Sequence, residues 1–403
     1  MKILVICQHY FPEPFRISDI CEELVKLGNE VTVVTGTPNY PMGEIYEGYQ
    51  NGACSDEVIN GVNIHRCSIH PRKTGAFHRL WNYYSYSNKS TKYINSLDDS
   101  FDVVFIYQLS PVMMANAGIK YAKKHKKKSL LYCLDLWPAS LSAGGISGGP
   151  IYKWFHRVSK KIYKAADKIL VSSSSFADYL REQFGIENTT YLPQYAEDTY
   201  TPCDCEKKTN GKIDLMFAGN VGSAQSVETI VKASALCRDI KNLNWHIVGD
   251  GKELLSCETL AKSLNAPVIF HGRRPPSEMP KYYSMADAML VTMRENKIIN
   301  LTLPGKVQSY MAAGKAIIGA INGETQKIIA EADCGACCAA DDAEALAELA
   351  REFAKNPNKK FSENSYSYYT SHFSKKIFFE SLKEQLNNAN FDDKFRLRNR
   401  RHR

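Results

Sequence analysis

Short apolar runs rich in β-branched residues recur along this chain, and their alternation with helical patterns constrains the fold more than any other feature. Six precede residue 196: KILVIC (2–7), EVTVVTG (30–36), VNIHRC (62–67), FDVVFIY (101–107), KSLLYCLD (128–135) and DKILVSS (167–173). Five follow residue 212: IDLMFAGN (213–220), NWHIVGDG (244–251), PVIFHG (267–272), DAMLVTM (287–293) and KAIIGA (315–320). Between them lie segments such as RISDICEELVKLG (16–28), apolar at helical spacing and ending at Gly28. Buried runs alternating with helices predict parallel sheets covered on both faces. The polar stretch AEDTYTPCDCEKKTNGK (196–212) breaks the series and reads as a linker. Two α/β domains in tandem are therefore expected, 1–196 and 197–365, with an aromatic-rich terminal helix over 366–390 and a basic tail over 391–403.

Other classes are disfavoured. No run of about 18 uncharged apolar residues offers a transmembrane helix. The opening MKILVICQHYFPEP turns polar after a short apolar run, which reads as a first strand and not a secretory signal. Cys7, Cys67 and Cys133 sit in apolar runs as small hydrophobes. Cys203-x-Cys205 and Cys334-x-x-Cys337-Cys338 lack the matched second pair a zinc site needs, so no metal site is expected. The chain has no GxxxxGK[ST], no GxGxxG after its first strand, no HExxH and no GxSxG.

The net charge of +8 is concentrated in 120–129, 157–168 and 393–403. Such clusters attract nucleic acid, acidic lipid or a phosphorylated substrate, or are solvated helix faces. Two of them adjoin amphipathic helical patterns, which favours an anionic membrane surface as partner over nucleic acid.

Ligands of parallel sheets bind beyond the carboxyl ends of the strands. After the first run, QHYFPEPFRISD (8–19) carries Glu13 and Arg16, with Ser18 and Asp19 as capping residues. GTPNYPMG (36–43) carries Asn39 and Tyr40, and LDLWPASLSAGG (134–145) carries Asp135 and Trp137. In the second half FAGNVGS (217–223), VGDGKEL (248–254) and FHGRRPPSEMP (270–280) are glycine-bearing turns at successive strand ends. A fourth opens TLPGKVQSYMAAGKAIIGA (302–320), where Pro304-Gly305 aims backbone N–H groups outward and Lys306 follows. Together they describe a nucleotide-diphosphate pocket in which amides, Arg273 and Lys306 neutralise two phosphates.

PGKVQSYMAAGKAII resembles the P-x-K-x-x-E-Y-M-A-x-G-K-P-[IV] segment of family 4 glycosyltransferases. HYFPEPFRISDI, GTPNYPMGEIYEGY, LDLWPASL, FAGNVGSAQSVETI and HGRRPPSEMPKYYSMADAMLVTM are similar, in order, to a subgroup of O-antigen and capsule enzymes that includes the N-acetyl-L-fucosamine transferase. The resemblance implies the GT-B fold, two Rossmann-like domains facing across a cleft, with the terminal helix packing back on the first. It implies retaining, metal-independent transfer from a nucleotide-sugar co-substrate, with no other cofactor, to a lipid-pyrophosphate-linked saccharide. The setting implied is peripheral, on the cytoplasmic face of the membrane.

Carried over by position, Asn220 and Gly222 would lie against the diphosphate, with Arg273 and Lys306 as its cations and Pro304 and Gly305 offering amides. Asp135, with Glu13, would stand at the catalytic centre, and Arg16, Asn39 and Trp137 would line the acceptor side. The chain departs from the pattern at Leu134, where relatives often have histidine, and at Ala139, where the subgroup has glutamate. Leu301 and Ser309 replace a pair of glutamates eight residues apart. Ser309 is then the donor-side residue, and Glu324 or Glu295 the carboxylate that would substitute. Two alternatives within this fold are a nucleotide-sugar epimerase and a non-catalytic nucleotide-sugar-binding scaffold.

Overall fold

The structure is a computed structural model that describes residues 1–71, 76–144, 146, 148–202 and 211–400; Cys203, Cys205 and most of the linker lie outside them. The chain forms two compact units. Met1–Ser172, Phe176–Leu192 and the chain from Ser381 make one; Ser173–Ser175 and Pro193–Glu380 make the other.

The first unit is built on β1 (Lys2–Ile6), β2 (Glu30–Gly36), β3 (Asp56–Ile59), β4 (Val62–Cys67), β5 (Val103–Gln108), β6 (Lys128–Cys133), β7 (Lys168–Val171) and β8 (Thr189–Tyr191). They form one sheet in the order β3-β4-β2-β1-β5-β6-β7-β8, parallel except for β3 against β4. That hairpin turns through Asn60 and Gly61, both at positive φ, the geometry that suits the twist of a two-residue loop. Ile3, Leu4, Val5 and Ile6 are fully buried, as a central strand covered on both faces requires.

The second sheet uses β9 (Ile213–Ala218), β10 (Leu243–Val248), β11 (Val268–Gly272), β12 (Ala288–Thr292), β13 (Ala316–Ala320) and β14 (Gly335–Cys338). Its order is β11-β10-β9-β12-β13-β14, with every pairing parallel. Successive β9 residues feed opposite cores. Leu215 and Phe217 pack with Trp245, Ile230 and Leu346, while Met216 and Ala218 pack with Val307, Tyr310 and Met311. At the middle of each sheet two non-consecutive strands lie side by side, β1 with β5 and β9 with β12, so each has a switch point where crossovers diverge and a crevice opens.

The sequence pattern misses β3, β8 and β14, which are the outer strands of their sheets. Each is three or four residues long and none is a continuous β-branched run: DEVI, TTY and GACC. An edge strand is solvated along one side and needs no such run. The cysteines of GACC are therefore strand residues, and burial pushes the Cys337 thiol up to about 12. At the C-terminus, Lys359–Tyr368 passes through a π turn, Tyr369–Phe373, into a helix Lys375–Arg400 that takes in residues 391–400 of the expected tail; 401–403 lie outside the described residues.

Candidate functional site

The helix Gly305–Ala312 starts at Pro304, whose extended backbone (φ −66°, ψ 134°) leaves the first turn's amides without helical acceptors. One turn in, the Tyr310 hydroxyl accepts from the Ala218 N–H at 3.0 Å and donates to the Ala218 carbonyl at 2.9 Å, pinning the helix to the end of β9. With its amide oriented so that the nitrogen faces these acceptors, Gln308 donates to the Pro304 and Gly305 carbonyls at 3.0 and 3.2 Å. Lys306 is thereby aimed over the strand end. Its Nζ sits 3.8 Å above the Phe217 ring, is sealed from solvent, and has no hydrogen-bond partner among the described residues. Desolvation pushes its pKa down to about 7. A cation–π contact repays only part of the cost of burying an ammonium, and an arriving anion would supply the rest.

Gly219 makes room for that ammonium. A Cβ there would stand 2.9 Å from Lys306 Nζ, and its φ of +143° disfavours any side chain. Gly219→Ala is expected to displace the ammonium and weaken binding of any diphosphate held by Lys306 about tenfold or more, read by calorimetry with UDP; unchanged affinity would place such a ligand elsewhere.

The other glycine turns serve a different purpose. Gly219 N–H donates to the Val248 carbonyl and Gly249 N–H to the Gly272 carbonyl, both at 2.9 Å, joining the turns after β9, β10 and β11. A Cβ on Gly249 would lie 1.8 Å from the Gly219 carbonyl oxygen, and one on Gly251 2.4 Å from that of Val221. These two glycines admit neighbouring backbone. At Gly222 the added atom would meet the Asn220 amide at 2.7 Å; Asn220 itself is exposed and donates to Gln225 at 3.2 Å. A Cβ on exposed Gly305 would meet nothing within 4 Å.

Three expected donor residues are either exposed or hydrogen-bonded elsewhere. Arg273 is exposed beyond β11, the outer strand, two strands from β9. The buried Ser309 hydroxyl turns back to donate to the Gly305 carbonyl at 3.3 Å, inside its own helix. Glu324 is buried at the start of the helix Glu324–Glu331, where one oxygen accepts from the Ser174 N–H and hydroxyl (3.1 and 2.7 Å) and the other from the Ser175 hydroxyl at 2.6 Å. Glu295 accepts from the side chains of Asn300 and Asn322.

In the first unit, Glu13, Asn39 and Asp135 all follow the carboxyl ends of parallel strands. The Glu13 carboxylate is enclosed: it accepts from the backbone N–H groups of Tyr10 (3.3 Å), Asn39 (2.9 Å) and Tyr40 (2.7 Å), and faces His9 Nδ1 at 3.0 Å. It fastens the loop after β1 to the loop after β2. Arg16 starts the helix Ile17–Lys26, close enough to Tyr107 and Tyr132 to bear on their phenols. Asp135 takes a hydrogen bond from Ser110, which also contacts Ser140 at 3.0 Å. Desolvation raises its pKa, and the Ser110, Ser140 and Leu136 donors hold the rise down. Buried Trp137 lies between Tyr83 and Phe155, with its backbone N–H donating to the Tyr163 hydroxyl at 3.2 Å.

Reading from sequence did not single out Phe217, Gly219, Tyr310, Ser110 or His9. Lys306 and Tyr310 are four apart on one helix, a spacing that places both on one face and was available as a signal.

Comparison with known proteins agrees with this architecture. Residues 16–193 match the model of Glycosyltransferase Family 4, and 205–368 that of Glycosyl transferases group 1. WbjE of Pseudomonas aeruginosa, described as a glycosyltransferase, is 27% identical over 60% of this chain, a match that spans 64% of that relative's length. WcaI of Escherichia coli, described as a colanic acid biosynthesis glycosyl transferase, is 22% identical over 78% of this chain and 82% of its own. Among solved structures, the sucrose-phosphate synthase of Thermosynechococcus elongatus superposes with a TM-score of 0.75 at 16% identity, covering 96% of this chain and 99% of that one. HepE of Anabaena, in complex with UDP and glucose, gives 0.70 at 13%, covering 96% and 99%. WaaG, involved in lipopolysaccharide biosynthesis, gives 0.64 at 15%, covering 94% and 98%. The fold is GT-B, and each half of the chain matches a glycosyltransferase family model, Glycosyltransferase Family 4 in the first and Glycosyl transferases group 1 in the second.

Proposed function

We propose that this protein transfers a sugar, with retention, from a nucleotide-diphosphate sugar to a lipid-pyrophosphate-linked saccharide during assembly of a bacterial surface polysaccharide. The observation that carries the reading is the sealed Lys306 ammonium, without a hydrogen-bond partner among the described residues, beside Gly219 at the second sheet's switch point. Departure of a nucleoside diphosphate builds negative charge on its β-phosphate. A fixed cation and the amides of a helix start stabilise that charge without reorganising. The anomeric carbon becomes oxocarbenium-like, and in a front-face transfer the departing phosphate takes the acceptor's proton.

UDP is the nucleotide we favour, supported by the HepE complexes, and an N-acetylated deoxyhexosamine the sugar, supported by the subgroup resemblance. The names of WcaI and WaaG support the polysaccharide setting. In this reading Asp135 stands at the acceptor, Glu13 positions the acceptor loops, and Asn220, Gly222, Pro304 and Gly305 flank the diphosphate. The protein would act peripherally at the cytoplasmic membrane face; among the described residues no helix is long and apolar enough to cross a membrane.

The test is incubation with a panel of nucleotide-sugars and a lipid-pyrophosphate acceptor, in the presence of EDTA. Acceptor-dependent release of nucleotide with an extended lipid of unchanged anomeric configuration is expected. Release to water alone would point to an epimerase, binding without turnover to a scaffold, and loss with EDTA to a metal.

A further inference from the structure

The helix Gly149–Tyr163 buries Phe155, Ser159, Ile162 and Tyr163 against its own unit, but its first turns do not follow that pattern. Ile151 is 65% and Trp154 46% exposed, and Ile146 just before the helix is 44% exposed. Burial leaves such side chains outside a core only where another apolar phase covers them or water is tolerated at a cost. Along the same helix Lys153, Arg157, Lys160 and Lys161 are exposed, and Lys164 continues the row. Between Asp135 and Asp167 the sequence holds five Lys and Arg residues and no carboxylate at all. An apolar tip with Trp, followed by a cationic stripe with no carboxylate in its own segment, is the composition of a segment that lies in a bilayer interface.

Its place in the fold adds direction. Trp154 packs edge-on to Phe155, Phe155 to Trp137, and Trp137 to Tyr83 of the helix Ala76–Ile94, with ring centroids 4.9, 5.4 and 6.5 Å apart. That helix exposes Trp81 (55%) and then Lys89 and Lys92, and no carboxylate occurs between Glu57 and Asp98. Both helices therefore converge on Trp137, two residues beyond Asp135 at the carboxyl end of the sheet.

We infer that this face of the first unit, tipped by Ile151 and Trp154 and flanked by Lys153, Arg157, Lys160 and Lys161, docks on an anionic phospholipid bilayer. Charge complementarity selects lipid as the occupant. An acidic protein surface would answer the cations but not an apolar tip at the end of a helix, whereas a bilayer offers headgroup phosphates above acyl chains. The inference rests on the proposed lipid-linked acceptor for its purpose: docking here would hold that acceptor's headgroup at the Asp135 end of the sheet.

Sedimentation with lipid vesicles tests it, using phosphatidylcholine alone and phosphatidylcholine with roughly 30% phosphatidylglycerol, a leaflet charge high enough to attract basic segments. The full chain is expected to bind the anionic vesicles, with binding falling as salt rises. Ile151→Ser with Trp154→Ser, and separately Lys153→Gln with Arg157→Gln, Lys160→Gln and Lys161→Gln, should each lower the partition coefficient about tenfold or more. UDP affinity, measured alongside, should stay at the wild-type value and report an intact fold. The inference is overturned by wild-type vesicle binding in these variants, by equal binding to neutral vesicles, or by no binding at all. A dimer in light scattering that Trp154→Ser dissolves would overturn it too, in favour of a second copy as occupant. If vesicle binding follows the patch while no acceptor is extended, the transferase reading fails and the docking face stands.

Discussion

Lys306→Ala is expected to lower kcat about 100- to 1,000-fold, the usual consequence of removing one fixed group that stabilises developing oxyanion charge. The same substitution should leave the ligand-free protein at least as stable as before, because the ammonium has no hydrogen-bond partner among the described residues and the Phe217 contact offsets only part of its desolvation. Lys306→Met, which fills similar space without charge, is expected to stabilise it by about 1–3 kcal/mol at pH 6. Linkage fixes the sign. The folded-state pKa of about 7 lies below the unfolded value near 10.5, so the folded protein binds fewer protons between them. The lysine's contribution to stability is least favourable below pH 7 and improves as pH rises through that window. A bound diphosphate reverses the desolvation and pulls the pKa back up. Binding of UDP at pH 8 should therefore take up about one proton, measured calorimetrically in buffers of different ionisation enthalpy, and Lys306→Met should abolish the uptake. Near-normal turnover in the alanine variant, or no proton uptake in the wild type, would sink the assignment.

Glu13→Ala is the second large effect, and it is one of architecture. The substitution takes the shared acceptor from the N–H groups of Tyr10, Asn39 and Tyr40 and the neighbour from His9. Removing one partner of a buried charged network costs about 3–5 kcal/mol. The loss should be local to the loops after β1 and β2, so hydrogen exchange at Asn39 and Tyr40 is a sharper readout than a melting curve of two units. Glu13→Gln keeps one good acceptor and should lose roughly half as much. If the carboxylate reacted with substrate, Glu13→Gln would abolish turnover with protection unchanged. As a tie, it should lose protection and turnover together.

How far the site was legible depended on what its residues do. Pro304-Gly305-Lys306 was readable because a proline-glycine break before a helix and a following lysine have few structural reasons to coincide. The depth of Lys306 was not readable, since it depends on Phe217, Gly219 and Tyr310, which meet only through tertiary packing. Gly249 and Gly251 looked like phosphate turns, yet in the fold they face backbone; a glycine admits either neighbour, and sequence does not say which. Glu324 was readable as a carboxylate near the site, but its serine partners lie some 150 residues earlier in the chain. The sheet was legible in its central strands, whose double burial demands continuous apolar runs. It was illegible at β3, β8 and β14, where one side is free and the demand lapses.

The glycine turns also bear on how this protein can change. Because the Gly249 Cβ position falls on the Gly219 carbonyl oxygen, the two turns cannot vary independently. A substitution at either shifts the other, and with it the floor beneath Lys306. Combinatorial libraries in this unit should therefore keep positions 219, 249 and 251 fixed, and spend their diversity on the residues preceding Pro304. A lineage that altered the turns would need paired replacements. Covariation of those positions across homologues is thus the evolutionary signature this packing foretells.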